Sequence, residues 1–324
     1  MPMPRIVLLL AMAGTWALPP GVLAAAKPNT LEQALSKLKI PPDWIATTQT
    51  SWDVAKPWKE GRLEIRRLLG LGTQDGNRQA IKLTWLYYNK KDIGDGHELP
   101  LYLLLGAEFD WAVKAHEAYL AEQAALGKQP LYVYKSLATC YMHYGAYDKA
   151  FQTLQSALQV AAKQSPQERG ILEPELHSRL GDLYLEQGRT ADARKSFAEA
   201  ARLFPLAKPK YGGHLLHRHA AKVQAKLDLL DARALATATL KDGTYTGSAQ
   251  GYTGPLDATV VVKGGKIADL KLKHTEKIDN NATVILPAKI IEKQSLQVDN
   301  ITAATVTTDA IVASTLEALR KAGL

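Results

Sequence analysis

The sequence predicts a multidomain chain, an all-α array of helical hairpins followed by a small α+β domain. Three observations carry this. Residues 63–237 repeat a helical pattern with small residues at matching offsets. From residue 238 onward, helix formers give way to Gly, Thr and Val in strand alternation. The length of 324 residues suits two domains, since a domain takes roughly 150 residues. The composition, 46% hydrophobic and 22% charged, is ordinary for a globular chain. Lys+Arg 40 against Asp+Glu 32 leaves +8, an excess that permits an acidic partner without implying nucleic-acid binding. Cys140 is the one cysteine. That excludes an intramolecular disulfide framework, a Cys-x-x-Cys-His haem site, a cysteine zinc site and a thiolate-bound iron–sulfur cluster.

Residues 1–26 read as a secretory signal peptide. Arg5 gives a positive start, Ile6 to Ala13 form a short apolar run, Pro19-Pro20 break it, and Ala24-Ala25-Ala26 offer a cleavage site before Lys27. The alternative is a retained anchor, but a spanning helix needs about 20 apolar residues. The cleavage site has no cysteine, which disfavours a lipoprotein. The expected location is periplasmic or otherwise exported. Residues 27–62 form an N-terminal segment ahead of the array.

The clearest repeat unit is Leu180-Gly181-Asp182-Leu183-Tyr184, followed by Gly188, Ala193, Phe197, Ala200 and Pro205. A second has Tyr134, Leu137, Ala138, Tyr141, Gly145, Ala150, Leu154 and Ala157. These spacings match the tetratricopeptide pattern, in which small residues let two helices approach closely and large ones fill the space between pairs. Ala150 and Ala193 are 43 residues apart, longer than the usual repeat, so residues 164–175 hold an extended helix or an inserted loop. Two weaker units centre on Ala112, in Phe109-Asp-Trp-Ala112, and on Ala80 after the turn Gly70–Gly76. Such arrays present a surface to a partner protein.

A basic helix over about Gly212–Ala238 is expected to cap the array. His214 and His217 share a face there, but Lys208, Lys210, Arg218, Lys222 and Lys226 surround them. The segment therefore reads as a solvated basic face suited to an acidic partner, with no metal site. Cys140 lies in a helical pattern and reads as a small buried apolar residue.

In the C-terminal part, Asp242–Gly254 gives a turn and a short strand, and Leu256–Val262 a second strand. Lys263-Gly-Gly-Lys266 is a hairpin turn, and Ile267–His274 a half-buried strand. Leu286-Pro287 then starts a helix, Ala288–Gln294. Thr307 or Thr308 caps a second, amphipathic helix that ends at Gly323.

Three stretches here carry a resemblance. They are Asp242-Gly-Thr-Tyr-Thr-Gly-Ser-x-x-Gly-Tyr252, Val260-Val-Val-Lys-Gly-Gly-Lys-Ile267 and Asp299-Asn-Ile-Thr-Ala-Ala-Thr-Val-Thr-Thr308. Residues 240–323, within a domain of 238–324, thereby resemble the FMN-binding domain of the C subunit of the sodium-pumping NADH:quinone oxidoreductase, found also in the G subunit of its relative and in many exported flavoproteins. The third stretch matches that family's flavinylation motif, Asp-x-x-Ser/Thr-Gly/Ala-Ala-Thr. Thr302 and Ala303 stand where Ser and Gly are commoner. The resemblance implies covalent FMN, joined by a flavin transferase through its phosphate to the hydroxyl of Thr305.

The surrounding residues suit that chemistry. Asp299 is placed to bind the transferase's metal or polarise the hydroxyl, and Ala303 and Ala304 leave room for the flavin. Thr302 and Thr307 flank the acceptor, and a helix N-terminus close by favours phosphate. Gly251, Tyr252 and Gly254 are expected to approach the flavin ring, unless they form an ordinary turn. His274 is expected to contact flavin or phosphate, unless it is simply a polar strand end.

No nucleophile–base constellation appears, so no catalytic residue is assigned. The expected function is an exported electron-transfer flavoprotein whose repeat array docks a redox partner. Nucleic acid is not a partner, and membrane contact comes only through a partner complex. Alternatives are a periplasmic scaffold or assembly protein with a structural or sensory flavin domain, and a small-substrate flavin reductase. N-terminal sequencing of protein from the native host is expected to begin near Lys27. An intact Met1 or Pro2 start in soluble cytoplasm rules the export signal out.

Overall fold

The computed structural model describes residues 30–324 apart from 95, 211, 212, 214, 215, 232–238, 252, 277, 278, 280 and 299–304. The chain opens with α1 (Leu31–Lys37), started by a Thr30/Gln33 capping box, and the single turn α2 (Trp44–Thr47). Four helical hairpins follow. They are α3 (Trp58–Leu69) with α4 (Gln74–Asn89), α5 (Glu98–Leu105) with α6 (Phe109–Ala125), α7 (Leu131–His143) with α8 (Tyr147–Lys163), and α10 (Leu172–Glu186) with α11 (Thr190–Leu203). The first hairpin begins at Trp58, so residue 63 lies inside α3. The long interval between Ala150 and Ala193 is filled by the extended α8 and an inserted turn of helix, α9 (Pro166–Arg169).

The small residues do what their spacing implies. Ala80, Ala112, Ala138, Ala150 and Ala193 are fully buried. A Cβ on Gly181 would collide with the ring of Phe197, so only glycine lets α10 and α11 close on that side chain. Gly145 and Gly188 turn the chain with φ of 67° and 71°. The corresponding turn between α5 and α6 uses Ala107, at φ 66°. A residue with a Cβ is disfavoured there by roughly 1–2 kcal/mol, and the missing glycine is why that repeat is faint in the sequence.

After a short 3₁₀ turn, Phe204–Leu206, α12 (Leu216–Asp231) packs on α11 and closes the array. Of the basic helix expected over Gly212–Ala238, the described residues show Leu216–Asp231; 212, 214, 215 and 232–238 lie outside them. The segment is also not solvated throughout. His219 stacks on Phe204, ring centroids 5.3 Å apart, and burial lowers its pKa. The expected boundary at 237/238 lies outside the described residues.

The C-terminal domain is a three-stranded antiparallel sheet in the order β1 (Gly243–Gln250), β2 (Pro255–Lys263), β3 (Lys266–Lys273), with α13 (Ala282–Lys293) and α14 (Thr305–Lys321). Leu256, Ala258, Val260 and Val262 of β2 alternate inward and bury against Ile290 of α13 and Ile311 and Leu319 of α14. The β2–β3 hairpin is clamped by Asp242, whose carboxylate accepts the Gly264 and Gly265 N–H groups at 2.9 and 3.0 Å.

Both helices begin earlier than expected. α13 starts at Ala282 and carries Pro287 in its interior, and α14 starts at Thr305, not beyond Thr307 or Thr308. Thr307 and Thr308 are consequently not caps but buried helical residues.

α14 lies on β1 at Gly247. A Cβ there would overlap the Ser314 carbonyl and come within 2.7 Å of the Ala318 nitrogen, both rigid backbone. Gly247→Ala is expected to destabilise the C-terminal domain by about 1–3 kcal/mol, as overpacking of a fitted contact does. Gly213→Ala, which meets only open space, serves as the control. Denaturant unfolding of the two variants checks this, and equal midpoints would refute it.

Candidate functional site

The N-terminal turn of α14, the turn at 251–254, the end of β3 and the side of α12 come together. The first four N–H groups of a helix lack intrahelical partners, and the described part of α14 begins at Thr305. Asp299, Thr302, Ala303, Ala304 and Tyr252 lie outside the described residues, and of Thr305 the structure describes the backbone position. Thr307 is described and buried. Its hydroxyl donates to Glu276 Oε2 at 2.6 Å, while Glu276 Oε1 accepts the Thr253 N–H at 2.8 Å. One carboxylate thus ties the 251–254 turn to the first turn of α14.

That arrangement also accounts for the glycines. A Cβ on Gly251 would lie 2.5 Å from Glu276 Oε1, and one on Gly254 would lie 2.7 Å from Thr275 Oγ1. The Gly251 N–H donates to the Gly254 carbonyl at 2.8 Å, closing the turn. In the folded chain the expected close approach at these glycines is made by the 275–276 segment. His274 follows β3 directly and is exposed.

Charge reaches the site from the repeat array. The basic residues of α12 do not form a purely solvated face. Lys226 is only 17% exposed and donates to Asp182 Oδ1 on α10 at 2.7 Å. Burial alone would depress its pKa, but Asp182 and Asp309 outweigh that and hold it above the ordinary lysine value. Burial raises the carboxyl of Asp309, on α14, against the pull of Lys226 and Lys222. Burial lowers Lys222, with Asp309 and then Glu276 as its strongest attractions. Arg218, one turn earlier, has a buried Nε without a hydrogen-bond partner. Asp228 of α12 and Arg320 of α14 add an ion pair at 3.2 Å.

Backbone donors at a helix start, a hydroxyl-bearing motif and cations from α12 are the donor set a phosphate-bearing cofactor requires. The orphaned guanidinium nitrogen of Arg218 fits an anionic ligand in the same region. Among the described residues no group of three or more His, Cys, Asp or Glu side chains is placed to hold a metal ion. His214 lies outside those residues, and His217 is exposed. Cys140 is fully buried and its thiol is pushed up to about 12, which makes it inert packing. No described helix is long and apolar enough to cross a membrane.

Sequence reasoning missed Glu276 and Asp309, and gave Lys222 and Lys226 no partner within the chain. The available signal was the position of Glu276, one strand-end away from a glycine turn and close to the motif only in space.

Glu276→Gln keeps the shape but turns one acceptor into a donor facing Thr253 N–H or Thr307 O–H. A loss of about 1–3 kcal/mol is expected, the cost of leaving a buried group unsatisfied. Thr307→Val added to it is expected to cost less than the two separate losses combined, because the partner is already gone. Additive losses in a double-mutant cycle would show that the two side chains do not interact.

Comparison with known proteins divides the chain as the fold does. A family model for the tetratricopeptide repeat matches residues 131–205, covering α7 to α11 and the start of the 3₁₀ turn. The family model for the FMN-binding domain matches residues 251–320, from the glycine turn through α14. No curated protein and no solved structure gives a significant match to the chain. The chain thus combines tetratricopeptide repeats with an FMN-binding domain, a flavin-binding protein with a repeat region of the protein-interaction kind.

Proposed function

We propose that the protein is an exported electron-transfer flavoprotein that carries FMN covalently on Thr305, attached by a flavin transferase, and that its repeat array docks a redox protein partner. The observation that carries this reading is the coincidence of an FMN-binding domain with residue 305 as the first residue of a 17-residue helix. A phosphodiester at that point gains about 0.3–1 kcal/mol from the helix end at an exposed site, and more where it is partly buried.

The bound flavin supplies the redox chemistry, and the protein positions and tunes it. Glu276 fixes the first turn of α14 through Thr307 and the facing turn through Thr253, so the attachment point is held from two sides. Lys222 and Arg218 bring positive charge toward the phosphate. The tetratricopeptide region supplies the surface for a partner, and covalent attachment suits an exported protein because a dissociated cofactor would be lost.

Thr305→Val retains the β-branched shape and removes the acceptor oxygen. Coexpressed with a flavin transferase, it is expected to fold but to give a denatured gel band without flavin fluorescence. Thr302→Val and Thr307→Val are expected to remain fluorescent, with the intact mass confirming one FMN. A fluorescent Thr305→Val band moves the attachment site. A dark wild-type band from an active transferase overturns the covalent reading.

A further inference from the structure

A cavity of about 600 Å³ lies between α10 and α12 of the repeat array and the C-terminal domain. The described residues on either side of the flavinylation motif border it. Leu296, Gln297 and Val298 line it immediately before residue 299, and Thr308, Asp309 and Val312 line it from α14. Residues three, four and seven positions apart share one helix face. The register of α14 therefore sets position 305 on the face that Thr308, Asp309 and Val312 present to this cavity. A group attached at 305 starts at its edge.

We propose that this interdomain cavity seats the isoalloxazine ring of the flavin, so that α12 of the repeat array forms one wall of the cofactor site. The inference rests on the flavin reading above and goes beyond it, because it assigns part of the site to residues outside the FMN-binding domain.

Size and chemistry agree. Ligand pockets span about 300–1,000 Å³, mostly apolar with a few placed polar groups. Leu185, Leu229 and Leu230 supply apolar wall, Lys222 and Lys226 supply a cationic edge, and Asp182, Glu186 and Asp309 also line the cavity, Asp182 being paired with Lys226. An isoalloxazine ring has the matching character: a flat apolar tricycle with one polar edge of carbonyl and imide groups. That edge gathers negative charge when the ring is reduced. Lys226 is already paired with Asp182. Lys222 is not part of that pair, and it lines both this cavity and a second one of about 370 Å³ on the Arg218 side of α12. It is the cation positioned to answer new negative charge on the ring.

The test uses the full flavinylated chain. Iodide quenching of flavin fluorescence is measured on the native protein and, at equal ionic strength, on the same protein denatured. A ring seated in the cavity is expected to be quenched several-fold less effectively in the native state. Ala225→Leu fills the cavity from α12 and is expected to bring native quenching up toward the denatured value, with flavin still bound covalently to Thr305. Lys222→Gln is expected to lower the midpoint potential of the flavin, read on the flavinylated fraction of the protein. Circular dichroism and melting verify that both variants fold. Native quenching equal to that of the denatured wild type overturns the inference without any variant. So does native protection that neither folded variant alters, in quenching or in potential. Wild-type protein without any flavin is a different failure; it removes the flavin reading and this inference with it.

Discussion

The close approach of α14 to β1 at Gly247 determines where everything at the candidate site can be. Because the Ser314 carbonyl and the Ala318 nitrogen sit where a side chain would otherwise stand, α14 packs this closely on the sheet only over a glycine, which sets its register on β1. A helix of 17 residues at 1.5 Å per residue is roughly 25 Å long. Fixing its middle on the strand therefore fixes its N-terminal turn beside the glycine turn at 251–254. The Thr307–Glu276 hydrogen bond then locks an arrangement that backbone packing has already made, and the same constraint turns Asp309 outward from the sheet toward α12.

Two ion pairs of α12 are of unequal worth: one joins it to α14 across the domain contact, the other joins it to α10 within the array. The Arg320–Asp228 pair is exposed, its side chains 46% and 30% accessible, and pairs of this kind contribute at most about 1 kcal/mol. The Lys226–Asp182 pair is 17% exposed on both sides, and removing one partner of a buried pair costs far more than the pair itself contributes. Arg179 also approaches Asp182, at 3.4 Å. In this cluster Arg179, Lys222 and Lys226 face the carboxylates of Asp182 and Asp309, and Lys222 also feels Glu276 and Glu175.

How much of this was legible depended on how local each feature is. The repeat spacing was readable because small residues at fixed offsets are a packing requirement written directly into the chain, and it weakened where Ala107 takes the place of a turn glycine. The hairpin was readable from Gly264-Gly265 between alternating strands. Pro287 misled, because proline commonly opens helices. In α13 it sits inside the helix, where the one backbone donor it removes is tolerated. Thr307 and Thr308 misled for the opposite reason. Hydroxyl residues ahead of an apolar run look like caps, but the Thr307 hydroxyl is claimed by Glu276, 31 residues earlier. The lysines of α12 read as a solvated run because their partners are far off in sequence, 44 residues away in the case of Lys226 and Asp182.

These non-local contacts are also where the two halves of the molecule become one device. A repeat array joined to a flavin domain by a flexible tether would leave any docked protein free to wander relative to the cofactor. Here α12 is at once the last helix of the array and a neighbour of both β1 and α14. A partner held on the array is thereby held in a defined relation to the start of α14. In the proposed reading, electron transfer depends on keeping donor and acceptor at short, fixed separation, and a helix packed on both the array and the C-terminal domain maintains that separation better than a linker. The same geometry makes α12 the element through which occupancy of the array could alter the charge felt at the flavin, since any shift of Lys222 changes its distance from Asp309 and Glu276 together.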